Sequence, residues 1–239
     1  PLWDRSALAV RLSVVIPTLG RPTLERALAS CATADEIVVV HDTAKGGGSI
    51  PPLPPNAVYV EGCWGITGGH GGRQEGIRRA TGTHLAFFDD DDEYVPGAIE
   101  LMREAACDVP VIFRMDDPLH GVIWKEPEIK WANVSTQMYV VPNIPSKLGS
   151  WTPHMPGLPC PGGDFTFIKE TVENFGDVIW REEVISVIRP PSLSISIVTP
   201  WQNHMELAHD YSYAINCRRG TDEVLVVDNA SAHPIPLAI

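Results

Sequence analysis

Apolar positions in this chain fall into short unbroken runs separated by polar, Gly- and Pro-rich turns. "LSVVIPTLG", from Leu12 to Gly20, is a β-branched run ending in Pro and Gly, which predicts a buried strand entering a loop. "TLERALASC" then places Leu24, Ala27, Leu28 and Cys31 at helical spacing, and "EIVVVHD" (Glu36 to Asp42) is a second buried strand. Strand, helix and strand in about 30 residues predict a parallel βαβ unit and an α/β domain. "AKGGGSIPPLPPN" (Ala44 to Asn56) is loop by composition, and "AVYVEG" a short strand. "GGHGGRQEGIRRATG" passes from a Gly-rich loop to a helix carrying Arg73, Arg78 and Arg79. "HLAFFDD" is the third buried strand, "PGAIELMREAAC" a helix with Pro96 in its first turn, and "VPVIFRM" a further strand. Between Asp117 and Cys160 the pattern is irregular, with one strand expected in "TQMYVVPN". "GGDFTFIKETVENFG" (Gly162 to Gly176) predicts loop then helix, and "VIWREEVISVIRP" the closing strand.

The opening pattern recurs. "LSISIVTPWQNHMELAHDYSYAINCRRGTDEVLVVDNAS", from Leu193 to Ser231, repeats strand, Pro, polar loop, helix, Asp-Glu and apolar strand. Pro200 corresponds to Pro17, and Asp228-Asn229 to His41-Asp42. The expected organisation is a complete α/β domain over residues 1–190 and a partial second copy of its first βαβ unit over 191–239. A fragment of that size closes no core of its own, so it is expected to pack on the first domain or a partner. It is a docking element, a homo-oligomer contact, or the opening of a longer chain.

Open parallel sheets bind ligands beyond the carboxyl ends of their strands. Three such ends carry distinctive groups: Pro17-Thr18, Asp42, and the run Asp89 to Asp92. Four adjacent carboxylates after "HLAFF" are either a solvated acidic turn or a site for a hard divalent cation such as Mg²⁺ or Mn²⁺. Their position after a buried strand, near a Gly-rich loop and an Arg-bearing helix, favours the site.

Composition narrows the partners. The formal charge is 18 − 30 = −12, which argues against broad binding to nucleic acid or an anionic membrane. No apolar run reaches the length of a membrane span, and Pro1 is followed by no basic-then-apolar leader. Five widely spaced cysteines without a CxxC pair fit a reducing, cytoplasmic setting. The "NVS" triplet at Asn133 carries no weight as a glycosylation acceptor there.

"SVVIPTLGR", "EIVVVHD", "GGRQEGIRRATGTHLAFFDDDDEYVPGAIE" and "GGDFTFIKE" together resemble the family 2 glycosyltransferases of the GT-A fold. That family opens with a "VSVVIPTYNR" strand, places an Asp after the second strand, and carries an "ARNxGIxxAxGEYIxFLDxDD" block. The resemblance covers roughly residues 12 to 185. It implies a Rossmann-like, mostly parallel sheet flanked by helices. It also implies an inverting transferase, assisted by Mn²⁺ or Mg²⁺, that moves a sugar from a nucleotide diphosphate, usually UDP, to an acceptor hydroxyl. By that resemblance Pro17 and Thr18 line the nucleotide pocket, Asp42 takes a hydrogen bond from the base, and Arg73 lies near base or phosphates. Asp89 and Asp91 form the D-x-D pair, Asp89 facing ribose and metal and Asp91 the metal. Asp90, the spacer, is grouped with the nucleotide-sugar-binding residues, and Asp92 is a supporting acid. Asp164 is the catalytic base, although its place before an apolar helix also suits an N-cap. The sequence departs from the family pattern at His41, where many members have Asp, and in the glycine-rich "GGHGG", where His70 reads as a polar loop residue. Two other readings stand beside this one: a non-catalytic nucleotide- or partner-binding relative, and a nucleotidyltransferase.

Overall fold

The computed structural model describes residues 9–44, 47–64, 69–118, 120–151 and 163–188, with the backbone of 196–201 and 223–228. The chain divides into two units, Pro1–Arg189 and Pro190–Ile239.

In the first unit the order is β1 (Leu12–Thr18), α1 (Leu24–Ser30), β2 (Glu36–Asp42), β3 (Ala57–Gly62), α2 (His70–Arg79) and β4 (His84–Phe87). Next come β5 (Glu93–Tyr94), α3 (Ala98–Ala105), β6 (Val111–Asp117), β7 (Gly121–Ile123) and a 3-10 turn, Thr136–Met138. β8 (Tyr139–Pro142), α4 (Gly163–Phe175) and β9 (Ile179–Val187) complete it. The strands form one sheet ordered β3-β2-β1-β4-β8-β6-β9-β5, with β7 on β6. β3, β2, β1 and β4 run parallel, as do β6 and β9; β8 enters antiparallel to both β4 and β6.

All seven residues of β1 are buried, because helices cover both faces of the sheet. Leu12, Val14 and Ile16 pack in one cluster with Leu24 and Leu28 of α1 and Met102 of α3. Val15 packs in the other with Ile77 of α2 and Phe167 of α4. This two-sided burial explains why the strands read as unbroken apolar runs. The sheet curls so that its last strand returns to the first helix: the Tyr94 amide donates to Ser30 Oγ at 3.2 Å, and Tyr94 stacks on Phe88 at 3.9 Å.

Two local expectations are corrected. Gly71 and Gly72 lie within the first turn of α2 and not in a loop. A Cβ at Gly72 would stand 3.0 Å from Pro17 Cβ, and one at Gly76 would overlap Val15 Cγ1. Glycine here lets the helix approach β1 closely, which offsets its poor helix propensity. Likewise Pro96 precedes α3 and does not sit in its first turn, since Gly97 at φ 83 forms the cap.

The second unit contains β10 (Ser196–Trp201) and β11 (Glu223–Asp228), paired parallel. Its register reproduces that of β1 and β2: Ser13 faces Glu36 and Pro17 faces Val40, while Ser196 faces Glu223 and Pro200 faces Val227. The helix expected between them lies outside the described residues.

Candidate functional site

The neighbouring parallel strands β2, β1 and β4 end on one side of the sheet, bringing together Asp42, Pro17-Thr18 and the acidic run. Their side chains are engaged by different partners. Thr18 is buried and its hydroxyl donates to Asp90 Oδ2 at 2.5 Å, while accepting from the Gly20 amide at 2.9 Å. Asp42 Oδ1 accepts from the amides of Ala44 at 3.0 Å and Trp64 at 3.2 Å, which ties down the turn after β2. Pro17 is in close contact with Gly69 and Gly72 at the start of α2.

The four aspartates are unequal. Asp90 is 4% exposed and bonded to Thr18 and to Arg21 Nη1 at 2.9 Å. Burial pushes its carboxyl above the ordinary range; Thr18 and Arg21 oppose that, and Asp91 and Asp89 add to it. Asp91 pairs with Arg21 at 2.8 Å, and burial raises its carboxyl as well, against the pull of Arg21. Asp92 is buried and accepts from the side-chain amide of Gln137. Asp89, with a third of its side chain exposed, forms an ion pair with Arg73.

Arg73 connects this run to α4. Its side chain is 5% exposed, and its guanidinium lies 4.9 Å from the ring centroid of Trp151. Trp151 stacks on Phe167 of α4 at 4.6 Å and 14°. One turn earlier on that helix is Asp164, whose Oδ1 accepts from the Phe165 amide at 2.9 Å and whose Oδ2 accepts from Ser135 Oγ at 3.2 Å. Asp164 sits inside the first turn and not at the cap position. Tyr139, 1% exposed, packs its ring against Phe87 and Phe167. Burial raises its hydroxyl well above the ordinary value, Asp164 and Asp89 push the same way, and Arg73 opposes them.

The elements that carry the acidic run match a known family. The model described as Glycosyl transferase family 2 matches residues 13–118, from β1 through the end of β6. This segment is a family 2 glycosyltransferase segment. Among solved structures, the chain is similar to TarS of S. aureus. The crystal structure of TarS residues 1–349 gives a TM-score of 0.55 at 16% identity, covering 75% of this chain and 60% of that one. The same fragment in complex with UDP-GlcNAc gives 0.54 at 17% identity, covering 77% and 59%. In complex with UDP it gives 0.51 at 17% identity, covering 75% and 60%. The chain thus spans about three-fifths of that fragment's length. Among curated proteins no significant match is found. The fold is that of the GT-A glycosyltransferases, an α/β sheet flanked by helices, as the resemblance implied.

Several neighbours of the site were not legible in the sequence. Arg21 holds two of the aspartates, Trp151 carries Arg73, and Ser135 and Gln137 bond Asp164 and Asp92. His70 is not a loop residue: it opens α2 and its ring is 5.8 Å from that of Trp151. Trp131 is the opposite of Trp151, 59% exposed and edge-on to Phe165 at 6.1 Å. Asn133 beside it is buried, and its side-chain amide donates to the carbonyls of Glu126 and Glu128, so it is no glycosylation acceptor. A cavity of about 280 Å³ between α1, β5 and α3 is lined by none of the candidate residues. No helix among the described residues is long and apolar enough to cross a membrane.

Proposed function

We propose that the chain transfers a sugar from a UDP-linked donor to an acceptor hydroxyl with inversion, and that Asp164 is the catalytic base. The observation that supports this reading is the connection Asp89–Arg73–Trp151–Phe167, which links the acidic run to the helix that carries Asp164. The UDP and UDP-GlcNAc complexes of the structurally similar TarS fragment support the donor class. Pro17, Thr18 and Asp42 form the nucleoside end. Thr18 acts there through Asp90, since its hydroxyl is already bonded.

A divalent cation fits the donor set. Asp89 and Asp91 offer hard oxygen atoms with side chains 34% and 28% exposed, crowded enough to repel each other. Among the described residues no group of three or more His, Cys, Asp and Glu converges to hold an ion. Asp89 and Asp91 would hold such an ion. When bound, such an ion neutralises charge on the departing diphosphate. Arg73, beside Asp89, supplies fixed positive charge on the same side. Asp164 takes the proton of the attacking hydroxyl from the opposite side of the anomeric carbon.

Thermal unfolding with UDP, in the presence and absence of Mn²⁺, tests the reading. A rise in Tm with UDP that requires Mn²⁺ is expected. No response to UDP under either condition contradicts it.

A further inference from the structure

The irregular stretch before β8 contains a turn that bonds to both halves of the site. Gln137 is 2% exposed and its Nε2 donates to Asp92 Oδ2. Its Oε1 lies 3.4 Å from Ser135 Oγ, which in turn lies 3.2 Å from Asp164 Oδ2. A hydroxyl has one proton to give, and the carboxylate is both the closer and the stronger acceptor. Ser135 therefore donates to Asp164, while Asp92, an acceptor when ionised, fixes which end of the Gln137 amide points towards it.

The turn itself is anchored. Ser186 of β9 donates to the Gln137 carbonyl at 3.4 Å, and the Ser135 amide donates to Met138 Sδ at 3.1 Å. The strand it feeds, β8, pairs with β4 in the register Ala86 to Val140, so the turn emerges beside the acidic run that β4 leads into. Ser135 and Gln137 lie beyond the residues matched by the family model.

We propose that Ser135 and Gln137 are positioning residues, and that the turn carrying them, bonded to Asp92 through Gln137 and to Asp164 through Ser135, sets the base relative to the donor-holding loop. The inference rests on the reading of Asp164 as base. A base placed by a turn that also grips the acidic loop keeps its distance from the anomeric carbon when either element shifts. Misplacement of a reacting group by even about 1 Å costs large factors in rate.

Two measurements on the full chain test it. In the first, UDP release from UDP-GlcNAc with water as acceptor is measured against pH in the presence of Mn²⁺. Ser135→Ala is expected to lower kcat about tenfold with the KM for UDP-GlcNAc unchanged. It should also move the acid limb of the rate profile to higher pH, because the ionised base has lost a donated hydrogen bond. Ser135→Thr, which retains the hydroxyl, should restore both. In the second, the carboxyl ¹³C resonance of Asp164, assigned by its loss in Asp164→Asn, is recorded for Gln137→Met. That resonance is expected to move although Gln137 does not touch Asp164. A resonance unmoved in Gln137→Met, or a Ser135→Ala enzyme with a wild-type profile, overturns the inference. If instead Asp164→Asn releases UDP at the wild-type rate, it is the base assignment that fails.

Discussion

The guanidinium of Arg73 lies 4.9 Å from the ring centroid of Trp151 while it pairs with Asp89. Trp151 is 2% exposed and stacks on Phe167, so the position of Arg73 is set by the packing of α4. Lysine would keep the charge but lose the planar face that lies on the indole. Arg73→Lys is therefore expected to weaken UDP binding about tenfold, read by titration calorimetry. Equal affinity in the two proteins would remove Arg73 from the donor site.

The two tryptophans beside α4 should respond differently to truncation. Trp151 fills the aromatic cluster with Phe87 and Phe167, and Trp151→Ala is expected to cost about 3–5 kcal/mol. Trp131, 59% exposed, should cost roughly 0.5 kcal/mol or less. Denaturant unfolding of both variants checks the contrast.

Arg21 competes with any cation for the acidic run. Its side chain is 46% exposed, so its pairs with Asp90 and Asp91 are weak and easily exchanged. Arg21→Ala should tighten Mn²⁺ binding in the presence of UDP by roughly twofold to fivefold. Burial, opposed by Arg21, raises the Asp91 carboxyl. Protonation there begins above the ordinary carboxylate range, so Mn²⁺ affinity should fall as pH is lowered into that window. A pH-independent affinity between about pH 7 and 4 would separate Asp91 from the ion.

Acid stability should depend on Glu36. Burial alone would raise its carboxyl, but bonds from Ser13 Oγ at 2.5 Å and from the Thr81 amide and hydroxyl, with Arg11, hold it below the ordinary value of 4.5. A lowered folded value means stability that is present above pH 4.5 and lost as pH falls through the folded value. Glu36→Gln should be less stable at neutral pH and show a flatter decline below pH 4.5 in urea unfolding.

Much of this molecule is readable in its sequence because β1, β2 and β4 are covered on both faces and so are apolar at nearly every position. The acidic run and Asp164 stand out because they interrupt that pattern at element ends. Gly71 and Gly72 misled, since glycine usually marks a loop. Here the missing side chains make room for Trp64 and Pro17, a tertiary demand with no local signature. Gly76→Ala, whose Cβ would overlap Val15 Cγ1, should cost about 1–3 kcal/mol. Arg21, Ser135 and Gln137 were equally invisible. Each acts on a partner 29 to 70 positions away, and a lone Arg, Ser or Gln carries no motif.

The central claim is that donor binding and proton removal reside in separate carboxylates of one site. Mn²⁺-dependent UDP binding and sugar transfer, measured side by side on Asp91→Asn and Asp164→Asn, test it most directly. Asp91→Asn is expected to lose the binding, whereas Asp164→Asn should bind UDP like the parent and turn over more than about a hundredfold slower. Full turnover by Asp164→Asn, or undiminished Mn²⁺-dependent UDP binding by Asp91→Asn, would contradict it.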